Sequence, residues 1–164
     1  MIDVTCHTTI RPAVPDDAAA LTGLAMRSKA YWGYPPDFME RCRAELTVSR
    51  ADVLDERFDY RLAEQDATTL GFYALETLSG DEVELEALFV EPAHIGTGVG
   101  RLLMQHALVT AAKMGSRRLR IQGDPHAAAF YEAAGAKCIG ELESHSIPGR
   151  MLPLYEICLQ REMR

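Results

Sequence analysis

The chain has 164 residues, 48% of them hydrophobic and 25% charged, and a formal net charge of −7. That is enough chain for one domain, 1–164, with a real core, and the composition is ordinary for a globular protein. The charge argues against nucleic acid or an anionic membrane as partner, and no apolar run approaches the roughly 20 residues that span a bilayer.

The opening, MIDVTCHTTIRP, has no charged segment followed by an apolar one and does not read as a signal peptide. Cys6, Cys42, Cys138 and Cys158 form no CxxC pair, so a reduced, cytoplasmic protein is expected. Thr8 to Pro12 reads as a short strand. Val14-Pro15-Asp16-Asp17 then starts a helix, with proline and two acids in its first turn, where the dipole favours them. Its apolar stripe is Ala18, Leu21, Leu24 and Ala25, and it ends near Ala30. Tyr31-Trp32-Gly33-Tyr34-Pro35-Pro36 is a turn that holds the only tryptophan, and a second helix runs from Pro36 to about Leu46. Phe58–Ala63 and Thr69–Leu78 read as a hairpin around Asp66-Ala67.

Val83 to Val90 is the next strand. Period two places Glu84, Glu86, Leu88 and Val90 on one face and Val83, Leu85, Ala87 and Phe89 on the other. A glycine turn, Gly96-Thr97-Gly98-Val99-Gly100, leads into a helix whose apolar positions Val99, Leu102, Leu103, Ala107, Ala111 and Met114 recur at three- and four-residue steps, with Gly115 as its cap. Arg117–Gln122 is a strand, Asp124–Ala134 a short helix ended by Gly135, and Lys137–Ser144 and Leu154–Arg161 are closing strands. The order β-αα-βββ-α-β-α-ββ predicts an α+β sheet of about seven strands with helices on both faces.

Strand, glycine turn and helix together make a phosphate-binding device. The first N–H groups of a helix lack internal partners, and glycine removes the Cβ atoms that would hold a diphosphate away from them. The P-loop pattern GxxxxGK[ST] fails here, because Gly96 is followed by Val99-Gly100-Arg101. The dinucleotide pattern GxGxxG fails as well, because the spacing is GxGxG. The stretch LFVEPAHIGTGVGRLLMQHA resembles instead the acetyl-CoA-binding segment of the GNAT superfamily of N-acetyltransferases, and DPHAAAFYEAAGA resembles the segment that follows it there. The superfamily's [QR]xxGx[GA] carries Ile95 in place of Gln or Arg, at a position that mostly donates its backbone N–H.

The resemblance implies a mostly antiparallel central sheet and acetyl-CoA (coenzyme A) as cofactor. It implies a diphosphate cradle at Ile95, Gly96, Thr97, Gly98, Val99, Gly100 and Arg101. The pantetheine arm would pair with the backbone of Leu88, Phe89 and Val90, beside Asp124, Ala127, Phe130 and Tyr131. Tyr131 is the implied general acid for the leaving thiolate, or else a packing tyrosine. Glu84, eleven residues before Ile95, matches the glutamate base of histone-type members; Glu86 is the runner-up, and both are alternatively plain residues of a half-solvated strand. Trp32 and Tyr34 either line an acceptor pocket or plug a helix junction, and Arg150 either holds an acceptor carboxylate or is solvated. His94, His106, His126 and His145 show no metal spacing, so no metal is expected. The activity implied is acetyl transfer to an amine of a small molecule or protein by direct attack in a ternary complex. A non-catalytic acyl-CoA sensor is the alternative. Exposed terminal strands leave room for a homodimer.

Overall fold

Six successive residues of one strand, Leu70 to Leu75, are buried, which requires cover on both faces and places that strand inside the sheet. The computed structural model describes residues 7–159. Its strands are β1 (Thr9–Pro12), β2 (Phe58–Gln65), β3 (Thr68–Ser79), β4 (Glu82–Val90), β5 (Arg118–Gln122), β6 (Lys137–Glu143) and β7 (Met151–Cys158). They form one sheet in the order β1-β2-β3-β4-β5-β7-β6, antiparallel throughout except between β4 and β5. The helices are α1 (Ala18–Ala30), α2 (Pro36–Leu46), α3 (Arg50–Leu54), α4 (Val99–Lys113) and α5 (Ala128–Ala133).

Alternate residues of the strands feed two cores. Tyr73, Leu75, Val83 and Leu85 pack with Val99, Leu103, Ala107 and Ala111 of α4 and Tyr131 of α5. Leu62 and Phe72 pack on the other face with Leu21, Leu24 and Ala25 of α1 and Met39, Cys42 and Leu46 of α2. The predicted mixed, mostly antiparallel sheet with helices on both faces is therefore the one observed. Its turns follow local chemistry: Asp66 and Ala67 take φ of 50° and 63°, which gives β2–β3 a tight two-residue hairpin, and Gly115 (φ 85°) and Gly135 (φ 95°) sit just past α4 and α5.

Three features differ from the sequence reading. The first is α3, which the periodicity missed because it is one turn long. Its signal was present, since Ser49 accepts from the Asp52 N–H while Asp52 accepts from the Ser49 N–H. Second, β7 begins at Met151 rather than Leu154, despite Pro153. The proline is opposite Glu141 and accepts, through its carbonyl, from Gly123 N–H at 3.1 Å. The predicted end of this strand at Gln160 and Arg161 lies outside the described residues. The third difference matters most. Ala74 pairs with Ala87 but Leu75 pairs with Leu85, so Glu86 is an extra residue, a β-bulge. It reverses the alternation along β4. Val83 and Leu85 before it, and Leu88 and Val90 after it, share the α4 side, whereas Ala87 and Phe89 join the α1–α2 side.

A candidate active site in the cleft between two parallel strands

The bulge at Glu86 marks where the sheet opens. β4 and β5 pair only from Glu82–Arg118 to Glu84–Arg120; beyond that, Ile121 and Gln122 are paired with β7 alone. Glu91 N–H donates to Leu70 O at 2.8 Å, and antiparallel hydrogen bonding alternates, so Phe89 and Ala87 also turn their polar backbone to β3. Leu88 and Val90 are left facing the gap, with N–H and C=O groups that no strand of the sheet satisfies. A cavity of about 540 Å³ fills this cleft.

At one end the cavity meets the glycine turn. Gly96 (φ 82°) and Gly98 (φ 94°) adopt the left-handed conformation that glycine reaches without strain. The first intrahelical bond of α4 runs from Leu102 N–H to Gly98 O at 3.0 Å, so the N–H groups of Val99, Gly100 and Arg101 have no helical acceptor. Gly100 lies against the Phe130 ring and Val90: a Cβ there would stand 3.4 Å and 3.5 Å from them, an ordinary contact distance that leaves no room for a larger side chain. The cradle is thus formed by backbone donors at the positive end of a 15-residue helix, which fits a diphosphate. Of the predicted cofactor residues, all but Thr97 and Val99 line the cavity. Val99 is fully buried in the core, and the Thr97 hydroxyl donates to His94 O, so these two offer the cleft only backbone.

Tyr131 is 8% exposed and lines the cavity. Among the described residues its hydroxyl has no hydrogen-bond partner, and it is not a sealed-off polar atom, so it opens on the cavity. Burial, with Asp124 and Tyr155 nearby, pushes its pKa above that of an ordinary phenol. Its ring packs on Gly123, a residue the sequence reading passed over.

On the floor, Glu86 lines the cavity and Glu84 does not. The Glu86 side chain is open to the cleft but enclosed by its concave wall. That burial, reinforced by Glu84, Glu76 and Glu45, pushes its pKa up to about 7. Glu84 is also raised, by burial and Glu76, against the opposing pull of Arg120 and His145. Carboxylate oxygens of Glu76, Glu84 and Glu86 all lie within 4.8 Å of one another.

Of the predicted acceptor residues Trp32, Tyr34 and Arg150, the last two converge on Asp124, predicted for the cofactor. Tyr34 donates to Asp124 at 2.8 Å, Lys29 stands 3.3 Å from the same carboxylate, and His126 N–H caps it at 2.9 Å. Burial disfavours the Asp124 charge, but these bonds outweigh it and hold its pKa below the usual carboxylate value. Arg150 donates to the Tyr34 hydroxyl at 2.7 Å and stacks over the Tyr34 and Phe38 rings. Tyr34 and Arg150 stand behind the cavity lining, whereas Trp32 lines it and stacks on His126, with centroids 5.1 Å apart. Sequence reasoning missed Lys29, Glu45, Tyr60 and His126 as lining residues, which reach the cavity only through tertiary packing.

A model of the acetyltransferase (GNAT) family matches residues 24–136. No curated protein matches the chain by sequence. Solved structures share the fold. A GCN5-related N-acetyltransferase from Rhodopseudomonas palustris is 20% identical, with 97% of this chain and 99% of that one covered and a TM-score of 0.76. The PaiA N-acetyltransferase from Thermoplasma acidophilum, in complex with coenzyme A, is 22% identical over 92% of this chain and 98% of that one, with a TM-score of 0.74. An acetyltransferase from Salmonella typhimurium with its cofactor acetyl-CoA is 19% identical over 96% and 97%, with a TM-score of 0.66. With a family match over most of its length, a split β4–β5 cleft and a helix-capped glycine cradle, the chain belongs to the acetyltransferase (GNAT) family and is an acetyl-CoA-dependent N-acetyltransferase.

Proposed function

We propose that the protein moves an acetyl group to an amine of a small molecule or protein by direct attack, with Glu86 as base and Tyr131 as acid. The observation that carries this reading is the presence of both side chains on one cavity, with the unpaired backbone of Leu88 and Val90 between the sheet and the cleft. Acetyl-CoA supplies an activated acyl carbon and a thiolate leaving group.

The residues of the chain do the rest. The N–H groups of Val99, Gly100 and Arg101 hold the diphosphate, and the Arg101 side chain lines the cavity beside them. Leu88 and Val90 hold the pantetheine amides as a strand would, and an N–H on this edge polarises the acetyl carbonyl. An alkyl amine of pKa about 10.4 is neutral in only about one molecule in 2,500 at pH 7, so a base matters. Glu86, with a pKa near 7, is half ionised at neutral pH and strong enough to take the proton. As the nitrogen–carbon bond forms and the carbon–sulfur bond breaks, Tyr131 donates its hydroxyl proton to the sulfur. Among the described residues no cysteine lines the cavity, which supports direct attack rather than a covalent carrier.

The test is thiol release from acetyl-CoA across a panel of amines, with the acetylated product identified by mass. Release that depends on an amine, and is lost in Glu86→Gln and Tyr131→Phe, supports the reading. Acetyl-CoA binding with no release across the panel would overturn it.

A further inference from the structure

Nothing holds the hydroxyl of Tyr131 directly. Among the described residues it has no hydrogen-bond partner, so its place at the cavity is set by its ring and by the helix that carries it. That helix, α5, is six residues long, and Tyr131 is its only buried residue. A helix this short has little stability of its own and takes its position from packing and from its ends. Its N-terminal end is the turn Asp124-Pro125-His126-Ala127, where Asp124 Oδ1 accepts from the His126 N–H at 2.9 Å.

The other oxygen of that carboxylate ties the turn to the rest of the fold. Asp124 Oδ2 accepts from the Tyr34 hydroxyl at 2.8 Å, and Lys29 Nζ lies 3.3 Å from it. The Tyr34 hydroxyl in turn accepts from Arg150 at 2.7 Å. One phenol oxygen thus joins the α1–α2 turn, the β6–β7 connection and the turn into α5, donating one way and accepting the other. The ring is fixed as well. It stacks on Phe38 of α2, with centroids 4.2 Å apart and 13° between the planes, and it meets His126 edge-on at 5.6 Å. Burial and Asp124 raise the Tyr34 pKa to about 12, so the hydroxyl keeps the proton it donates at neutral pH. Tyr34 is not among the residues that line the cavity, so it acts from behind them.

We propose that Tyr34 is a positioning residue for the transfer, which acts through Asp124 to fix the turn before α5 and so the hydroxyl of Tyr131. The inference rests on the acid role of Tyr131 given above and adds the group that sets its place. Two routes connect them. Asp124 begins the segment that carries Tyr131, so holding its side chain holds the start of that segment. The Asp124 charge also reaches the Tyr131 hydroxyl and opposes its ionisation, and the Tyr34 bond fixes where that charge sits. A displacement of about 1 Å at a reacting group can cost about a hundredfold in rate, so a small release of the turn is read directly in turnover.

The experiment is a double-mutant cycle on kcat, read by thiol release at saturating amine and acetyl-CoA, with Tyr34→Phe, Tyr131→Phe and the pair. Tyr34→Phe keeps the ring and removes only the hydroxyl. It is expected to lower kcat about five- to tenfold, with the KM for acetyl-CoA within about twofold. In the Tyr131→Phe background no proton is left to position, so the same substitution should change kcat by less than about twofold. A general loss of structure, or a role at the acceptor wall, would give the same fold loss in both backgrounds. That additive result would overturn the inference and leave the acid reading intact. Unchanged kcat in Tyr34→Phe would overturn it as well. Near-normal turnover in Tyr131→Phe would instead remove the acid, and the inference with it. If Tyr34→Phe does not fold, as judged by its thermal midpoint, Arg150→Gln takes its place in the cycle. It withdraws the donor to the Tyr34 hydroxyl, the same masking by Tyr131→Phe is expected, and additivity would again overturn the inference.

Discussion

Gly123 and Tyr131 are in contact at a distance that no other residue type at position 123 would allow without movement. A Cβ on Gly123 would stand 3.0 Å and 3.1 Å from two atoms of the Tyr131 ring, and 3.3 Å from the Tyr155 ring. Gly123 directly follows β5, and its N–H donates to the Pro153 carbonyl of β7, so the backbone cannot easily yield. Gly123→Ala is therefore expected to push the Tyr131 ring, at a stability cost of about 1–3 kcal/mol from overpacking. Turnover should fall about tenfold as the hydroxyl is displaced. Denaturant unfolding and thiol release measure the two effects; unchanged turnover would show that the position of Tyr131 does not matter to the chemistry.

Tyr131→Phe tests the proton itself. The leaving thiol has an ordinary pKa near 8.5 and a phenol one near 10. Burial raises the phenol further, and a thiolate formed in the same cavity is raised for the same reason. The transfer therefore stays within reach of a positioned donor. The variant keeps the ring in the core and removes only the hydroxyl. Turnover is expected to fall about ten- to a hundredfold, with acetyl-CoA affinity within about twofold. Near-normal turnover with chemistry rate-limiting would exclude the acid role.

Much of this site is legible in the sequence, because the glycine turn, its helix and the Phe130-Tyr131 segment are contiguous and carry their own local chemistry. The bulge is not. Period two treats every residue of β4 alike, and whether β3 pairs with 87 then 86, or 87 then 85, is decided by the partner strand. That one-residue slip determines which glutamate meets the cavity. Asp124 is legible as a helix cap from Asp124-Pro125, and it does accept from His126 N–H. Its bonds to Lys29 and Tyr34 join residues 95 and 90 positions apart and left no local trace.

Glu86→Gln should leave a pH signature of two kinds. A base must be ionised to accept a proton, so the native rate should rise through about pH 7 and the variant should lose that inflection. Glu84→Gln removes a neighbouring negative charge and should move the inflection to lower pH. Stability runs the other way. The folded pKa of Glu86 is raised above its unfolded value, so its contribution is fully present below about pH 4 and is lost as pH rises through about 7. Glu86→Gln should thus raise the thermal midpoint at pH 8 and leave it nearly unchanged at pH 4. A midpoint lowered at pH 8 would show that the carboxylate has a cationic partner in the free protein.

Substitutions in the glycine turn should separate backbone conformation from crowding. Gly98→Val forces a β-branched residue to φ near 94°, a strain of about 1–3 kcal/mol at the N-terminus of α4. Gly100→Val meets no such backbone restriction, but its methyl groups press on the Phe130 ring, already 3.4 Å from the Cβ position. Both should weaken coenzyme A binding at least about tenfold, or about 1.4 kcal/mol, read by calorimetry. Unchanged affinity in a folded Gly98 variant would place the phosphates elsewhere.

Asp124→Asn should destabilise the molecule by removing the anion around which three chain segments meet. Lys29 comes from α1, Tyr34 from the α1–α2 turn and Arg150 from the β6–β7 connection, and all three address Asp124 at 3.3, 2.8 and 3.6 Å. Both cations are at most 20% exposed, so their charges are poorly hydrated and lean on this carboxylate. The amide keeps the shape, but with one acceptor oxygen it keeps the bond from only one of Tyr34 and His126, which fall on different oxygens of Asp124, and it leaves two like charges side by side. A loss of about 2–4 kcal/mol is expected, near the lower end of the cost of breaking a buried ion pair. The sign with pH follows from the direction of the shift. The Asp124 pKa is lowered in the folded state, so its contribution is present above the unfolded value of about 3.9 and is lost as pH falls through the folded one. The difference between native protein and Asp124→Asn should therefore be constant from pH 6 to pH 8 and narrow below about pH 4. Urea unfolding at pH 7 and pH 3 measures it. A difference that persists undiminished at pH 3 would mean that Asp124 acts through its hydrogen-bond geometry rather than its charge.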